Sequence, residues 1–277
     1  MAEEPEIWLL QDDELNDALR LSTQAAWNQT LQDWQNLLGQ GLCLGGRLNG
    51  RLVCTGTLVD YGDGGWLGML LVDEHFRNRG YGTRMLNILL KAADEKLNFK
   101  WVGLDATEFG RPIYLKHGFR EVGTINRWEV RPKVLTQLLE TREFVDPIDV
   151  NAVEKLDIEA FGAAREWKVA VNSAFHVCNE DEGYLAFGRS RPGRLGRYVG
   201  PVAARSTESA ASIIAGLVQP HLSEQKIFID VPSGSSGERW LKEQGFRIAR
   251  SWTRMIRGTA EIGKPEMIFA IAGPELG

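Results

Sequence analysis

Two segments of this sequence restate each other. YLKHGFREVGTINRWEV at 114–130 and LKEQGFRIARSWTRMI at 241–256 both set a Lys-x-Gly-Phe-Arg or Lys-x-x-Gly-Phe-Arg run after a short helical pattern, and both continue into a strand-like run. A duplication of about 125 residues accounts for this economically, with chance likeness as the competing explanation. At 277 residues the chain is long enough for two such units. The division expected is 1–135 and 145–277, with a linker within residues 131–147.

The order of patterns within each unit sets the fold class. Leu15, Ala18, Leu19, Leu21, Ala25 and Ala26 fit one helix, and Leu31, Trp34, Leu37 and Leu38 fit a second. Asn49-Gly50 between apolar runs is a hairpin signal. A strand at 66–73, a helix beginning at Thr83, a strand at 100–106, a short helix at 110–117 and a strand or hairpin from Phe119 follow. After Val130 the pattern restarts: helix at 148–175, a hairpin turning at Pro192-Gly193, helix at 207–219, a strand at KIFIDVP and a short helix. This predicts an α/β fold, α+β in some schemes: two units, each a mixed, mostly antiparallel sheet flanked by helices.

The charge balance narrows the function. A formal net charge of −5 disfavours nucleic-acid binding, which needs a basic excess. No apolar run approaches a membrane span. The acidic N-terminus has no export signal pattern, which points to the cytoplasm. Cys43, Cys54 and Cys178 are odd in number and far apart, as in a reduced compartment. The four histidines stand singly, so no metal site is expected.

The stretch richest in chemistry is GMLLVDEHFRNRGYGT, 68–83. Arg77-x-x-Gly80-x-Gly82 lies between a strand and a helix. A helix start leaves backbone N–H groups unpaired and carries partial positive charge. Glycines at 80 and 82 allow a diphosphate to reach those donors, and Arg77 and Arg79 add charge at the rim. An ordinary strand-to-helix turn would also read this way. No Gly-x-G-x-x-Gly with an acidic ribose partner is present, and no Gly-Lys-Ser/Thr follows, which excludes the dinucleotide and Walker patterns.

With Leu70-Leu71-Val72 before the loop and Tyr114-Leu115-Lys116-His117-Gly118-Phe119 after it, residues 5–130 resemble the GCN5-related N-acetyltransferases, the GNAT superfamily. The resemblance implies that acetyl-CoA is the acetyl donor, without a metal. It implies a V-shaped opening between strands 66–73 and 100–106 for the pantetheine arm. Cofactor contacts fall on Leu70, Leu71, Val72, Arg77, Asn78, Arg79, Gly80, Tyr81, Gly82, Thr83 and Thr107; the last stands where family members often have Asn. Tyr114 takes the position of the general acid that protonates the departing thiolate, although a core tyrosine of the short helix is the plainer reading. The base is not named: Asp60, Asp63, Asp73 and Glu108 are the carboxylates near the right elements.

On the acceptor side, Trp27, Asn28, Asp33, Asp60 and Glu108 are candidates to orient an amine. Trp27 and Trp34, seven apart, can share a helical face and equally form a core stripe. In the second unit, AARSTESAAS at 203–212 replaces the glycine loop and Leu241 replaces Tyr114, so both the diphosphate site and the acid are missing. Arg189, Arg191, Arg194, Arg197 and Arg205 read either as a solvated hairpin or as anion-recognition groups. The function expected is acetyl transfer to an amine of a small molecule or peptide. A CoA-binding sensor without catalysis is the rival, and a nucleophile other than an amine is a third option.

Overall fold

Asn49 and Gly50 both adopt left-handed backbone, φ 50° and 78°, as a two-residue hairpin turn requires. They close the hairpin from which the rest of the sheet extends. The computed structural model describes residues 4–130, 149–165, 174–180, 183–221, 223, 226–259 and 263–277; the expected linker at 131–147 lies outside them. The first half runs β1 (Glu6–Leu9), α1 (Leu15–Gln24), α2 (Leu31–Leu38), β2 (Gly41–Leu48), β3 (Arg51–Asp60), β4 (Gly64–Val72), α3 (Tyr81–Glu95), β5 (Trp101–Ala106), α4 (Arg111–Lys116) and β6 (Arg120–Val130). The second runs α5 (Val150–Phe161), β7 (Ala174–Glu180), β8 (Gly183–Arg191), β9 (Arg197–Ala204), α6 (Thr207–Val218), β10 (Ile227–Pro232), α7 (Ser236–Glu243), β11 (Arg247–Gly258) and β12 (Ile268–Ala270).

The result is an α/β fold with one mixed, mostly antiparallel sheet flanked by helices. Its strand order is β1-β2-β3-β4-β5-β11-β6-β10-β9-β8-β7, with β12 added on β9. The centre of that order is a reciprocal exchange. β5 pairs with β11, from Thr253↔Ala106 to Gly258↔Trp101, and β10 pairs with β6, from Ile227↔Val130 to Pro232↔Ile125. Each half's last long strand therefore completes the other half's sheet, and the two exchanged strands pair with each other. Packing follows the exchange: Met255 of β11 joins the core of the first half, and Trp128 of β6 joins that of the second.

The duplication is visible in detail. Gly118 and Gly245 both have φ 81°. Phe119 N donates to Tyr114 O and Phe246 N to Leu241 O, at 3.2 and 3.0 Å. The same left-handed glycine ends each short helix and sets Leu241 where Tyr114 stands.

Three sequence expectations change. Residues 148–175 are not one helix: α5 stops at Phe161, where Gly162 takes φ 92°, and Ala174 and Phe175 open β7. FREVGTINRWEV is a single strand and no hairpin. Trp27 and Trp34 do not share a helix, because α1 ends at Gln24 and α2 begins at Leu31.

Candidate active site

A bulge in β4 opens the first half. Thr55 faces Leu71 and Thr57 faces Gly68, so both Met69 and Leu70 stand opposite Gly56. Met69 takes φ 47°, a left-handed conformation unusual for a side chain of that size, and the Thr55 hydroxyl donates to its carbonyl at 2.9 Å. The bulge bends the strand and leaves backbone groups outside the ladder. Gly56 allows α3 to lie close beneath: a Cβ there would meet Leu89 and Met85 at 2.7 and 2.9 Å. β4 and β5 pair in parallel only at Gly64↔Trp101, Gly65↔Val102 and Trp66↔Gly103. Beyond that they diverge, and a cleft begins between Leu67–Leu70 and Leu104, Asp105 and Thr107.

The loop after β4 leads to the start of α3. Asp73 is fully buried; it accepts from Arg20 at 2.7 Å and Arg51 at 2.8 Å and from His75 N at 3.1 Å. These bonds outweigh the desolvation that opposes them and hold its carboxyl below the usual range. Asp73 is thus a fixed anchor for the loop and lies outside the cleft lining. Asn78 and Gly80 both take positive φ, 61° and 82°. Gly80 is the N-cap of α3, and no side chain caps that turn. Arg77, Asn78 and Arg79 are exposed around it. The Tyr81 ring points the other way, into the core, so only its backbone faces the loop. Gly82 has room: an added Cβ would touch only Val72, at 3.4 Å.

Tyr114 and Thr107 line the far side of the cleft. The Tyr114 ring packs edge-on to Phe119 with centroids 5.8 Å apart, and burial pushes its phenol well above the ordinary value. The Thr107 hydroxyl accepts from Gly110 N at 3.2 Å, which starts α4.

The remaining wall is shared: Trp252, Pro274 and Glu275 of the second half join Trp27, Gln29 and Arg127 of the first around the cleft. Trp66 Nε1 donates to Pro274 O at 2.9 Å and Tyr61 OH to Leu276 O at 2.6 Å, which fixes residues 274–276 against β4. Asp105 is paired bidentately with Arg254 at 2.9 and 2.8 Å, and burial raises its carboxyl. Arg127 is held by Asp230 at 2.7 and 2.6 Å, its guanidinium 4.9 Å from the Trp252 ring centre. Glu275 also borders a second cavity that Asp33, Arg189 and Arg191 help line.

Of the sequence candidates for the acceptor, Trp27 lines the cleft. Asn28 does not: its amide takes Leu195 N and Gly196 N and donates to Gly196 O, at 2.8, 3.2 and 3.0 Å, a clamp between halves. Asp33 closes a capping box with Thr30 and pairs with Arg191 at 2.7 Å. Asp60 is exposed and accepts from Gly62 N at 2.8 Å. Glu108 is exposed beyond Thr107, outside the lining. Asp63 pairs with Lys100 at 2.6 Å. Three of the arginines have partners within the protein: Arg191 pairs with Asp33 and Glu275, Arg194 donates to Trp27 O and Arg205 pairs with Glu159. Gln29, Asp105, Arg127, Trp252 and Glu275 are among the lining residues that sequence reasoning did not single out.

Cys43 and Cys54 are buried free thiols, pushed up by burial to about 12 and about 11, which makes them poor nucleophiles. Among the described residues no His/Cys/Asp/Glu group is arranged for a metal, and no helix is long and apolar enough to cross a membrane.

The second half has the matching opening, and it is filled. β9 and β10 pair in parallel from Ile227↔Arg197 to Ile229↔Val199 and then part. β12 lies in the gap: Ile268 and Ala270 pair with Ala203 and Val202 of β9, and Ile271 N donates to Asp230 O of β10 at 2.9 Å. At the start of α6 the Ser206 side chain accepts from Ser209 N at 3.2 Å.

Comparison with known proteins places both halves. The sequence model of the acetyltransferase (GNAT) family matches residues 8–119, and that of an acetyltransferase (GNAT) domain matches residues 153–270. YitH of Bacillus subtilis (strain 168), an uncharacterized N-acetyltransferase, is 28% identical over 255 residues, 87% of each chain. A proposed acetyltransferase from Pyrococcus horikoshii is similar in structure, with a TM-score of 0.84 at 22% identity over 100% of this chain and 97% of that one. A tandem GNAT protein from the clavulanic acid biosynthesis pathway has a TM-score of 0.67 at 13% identity, covering 93% of this chain and 100% of that one.

Proposed function

Since this chain belongs to the GCN5-related N-acetyltransferase superfamily, as a tandem acetyltransferase with one such domain in each half, we propose that it moves the acetyl group of acetyl-CoA to an amine of a small molecule or peptide by direct attack on the thioester. The observation that carries this reading is the open V of the first half, where the β4 bulge and Tyr114 share one cleft.

Residues 1–135 form the catalytic unit and 145–277 the supporting unit. The start of α3 takes the diphosphate through backbone N–H groups at Gly80–Thr83, with Arg77, Asn78 and Arg79 at its rim. The bulged backbone around Leu70, Leu71 and Val72 takes the pantetheine arm, and a donor fixed there stabilises the charge that grows on the thioester oxygen. Thr107 borders the arm on the β5 side. When the amine nitrogen bonds to the carbonyl carbon and the C–S bond breaks, Tyr114 gives its proton to the leaving thiolate. A phenol that burial keeps protonated is suited to that donation.

Thiol release from acetyl-CoA, screened across primary amines and short peptides with mass detection of the acetylated product, tests the reading. At least one amine is expected to give stoichiometric product. A chain that binds acetyl-CoA in calorimetry yet acetylates no amine would overturn it.

A further inference from the structure

The acceptor wall of the cleft holds an unused hydrogen-bond acceptor beside a carboxylate. Gln29 is 5% exposed. Its Nε2 donates to Glu275 Oε2 at 2.9 Å, while its Oε1 is buried with no partner among the described residues. Turning the amide over would set Oε1 against a carboxylate oxygen, so the hydrogen-bond chemistry fixes this orientation. A buried polar atom without a partner is costly to maintain.

Glu275 completes the pair. Its side chain is 3% exposed and takes Arg191 Nη2 at 2.9 Å. Its backbone lies against β4 one residue before the bulge: a Cβ at Gly68 would stand 3.0 Å from Glu275 Cα and 3.1 Å from its carbonyl oxygen. Gln29 and Glu275 both line the cleft that the residues assigned to the thioester line. An ammonium, with three donors and no acceptor, satisfies both. Trp27 and Trp252 line the same cleft and suit an apolar or aromatic body behind the amine.

We propose that Glu275 and Gln29 receive the acceptor's amine, and that Glu275 takes the proton the ammonium must lose before it attacks. The proposal rests on the transfer reading above and adds the base and the recognition of the acceptor. The atoms balance as follows. R–NH3+ gives one proton to the Glu275 carboxylate and becomes R–NH2. Its lone pair bonds to the carbonyl carbon and the C–S bond breaks. Tyr114 protonates the thiolate, the nitrogen's surplus proton restores the phenol, and Glu275 releases its proton to water.

The groups that act on Glu275 are Arg191 of β8, Asp33 of α2, Arg127 of β6, Tyr61 after β3 and Tyr198 of β9. Burial raises the carboxyl and the two guanidinium groups oppose it, with a net rise. Glu275 must be ionised to act, so its protonation sets the acid limb of kcat/KM.

Glu275→Gln keeps the shape and still accepts from Gln29. With any amine found in the screen, it is expected to lower kcat by about 100-fold or more, to lose the acid limb, and to recover part of its rate at alkaline pH, where the amine is already neutral. Acetyl-CoA affinity should hold, while the melting temperature should fall, because the amide has one oxygen for the two donors Gln29 Nε2 and Arg191 Nη2; the comparison is made on folded protein. Gln29→Leu, which deletes the orphan oxygen, should raise KM for the amine at least about tenfold and keep the acid limb.

Should the screen give no turnover, phenethylamine titrated onto the CoA-bound protein separates the two proposals. Tenfold or greater weakening in Glu275→Gln, with 2-phenylethanol bound equally by both proteins, supports the amine site even if transfer fails. An unchanged acid limb and kcat in folded Glu275→Gln, or equal phenethylamine binding by both proteins, would overturn the proposal.

Discussion

The turn from β4 into α3 and the turn from β9 into α6 descend from one pattern and now do opposite things. In the first, the N-cap is Gly80 in left-handed backbone with no side-chain cap, and the strands beside it part around an open cleft. In the second, Ser206 caps its own helix, and β12 lies between the parted strands. A helix start can hold a foreign anion only if the protein has not already satisfied its N–H groups. The second half satisfies one of them with the Ser206 hydroxyl, and a strand fills the groove beside it. Its opening became a place to anchor the segment that carries Pro274 and Glu275 across to the first half.

The largest effect is expected where the halves differ by a single hydroxyl-bearing ring. Tyr114→Phe keeps the packing on Phe119 and removes the proton donor. Its turnover should fall by about 10²–10⁴, with acetyl-CoA affinity from calorimetry little changed. The mirror change, Leu241→Tyr, should add no activity to Tyr114→Phe, because β12 fills the second groove. Wild-type turnover in Tyr114→Phe, with CoA release shown not to limit the rate, would remove Tyr114 from the mechanism.

Next comes the anion site. Gly82→Val adds a side chain whose Cβ meets only Val72, at 3.4 Å, and which is expected to occupy the space a diphosphate needs. Acetyl-CoA affinity should fall at least about tenfold, some 1.4 kcal/mol, with little change in melting temperature. The unsubstituted chain should bind one acetyl-CoA. A stoichiometry of two that drops to one in Gly82→Val would show that the second half keeps a working site.

Local signals made the first turn and the duplication legible. Asn49-Gly50, the strand–glycine–helix run at 68–83 and the paired Gly-Phe-Arg segments depend on neighbours in sequence, and each appears in the structure as read. The far wall of the cleft was legible only at Trp27, because the rest is assembled by the strand exchange: Arg127 and Trp252 reach the cleft on exchanged strands, and Glu275 arrives from a segment more than 200 residues from β4. Periodicity carries no information on which strands pair at that distance. β1 and β12, of 4 and 3 residues, are too short for a period to show. Asp33 was open to a better reading. Thr30-Leu31-Gln32-Asp33 has capping-box spacing, which marks a helix start before it marks a substrate ligand.

A smaller effect should come from the Ser206 cap. Ser206→Ala frees the Ser209 N–H and should cost about 1 kcal/mol in denaturant unfolding. It should create no acetyl-CoA site, since the groove stays filled. A second binding event in Ser206→Ala would make the hydroxyl alone responsible for the difference between the halves.

The smallest effect tests the cation at the second turn. Arg205, one residue before the Ser206 cap, is already neutralised: Glu159 of α5 accepts from it at 2.7 Å and from Lys264 at 2.7 Å. In the first half Arg77 and Arg79 pair with no carboxylate among the described residues. The two bonds hold the Glu159 carboxyl at about 2, below its ordinary 4.5. A depressed carboxylate stabilises the fold above the unfolded-state value and loses that stabilisation as pH falls through the folded one. The partners are half exposed, which confines the contribution to about 0.5 kcal/mol. Glu159→Gln should therefore be slightly less stable than the unsubstituted protein at pH 7, and the gap should close between about pH 4.5 and pH 2. If the gap instead persists unchanged at pH 2, the carboxylate's charge is not what holds Arg205, and Arg205 at the second turn is then not neutralised by Glu159.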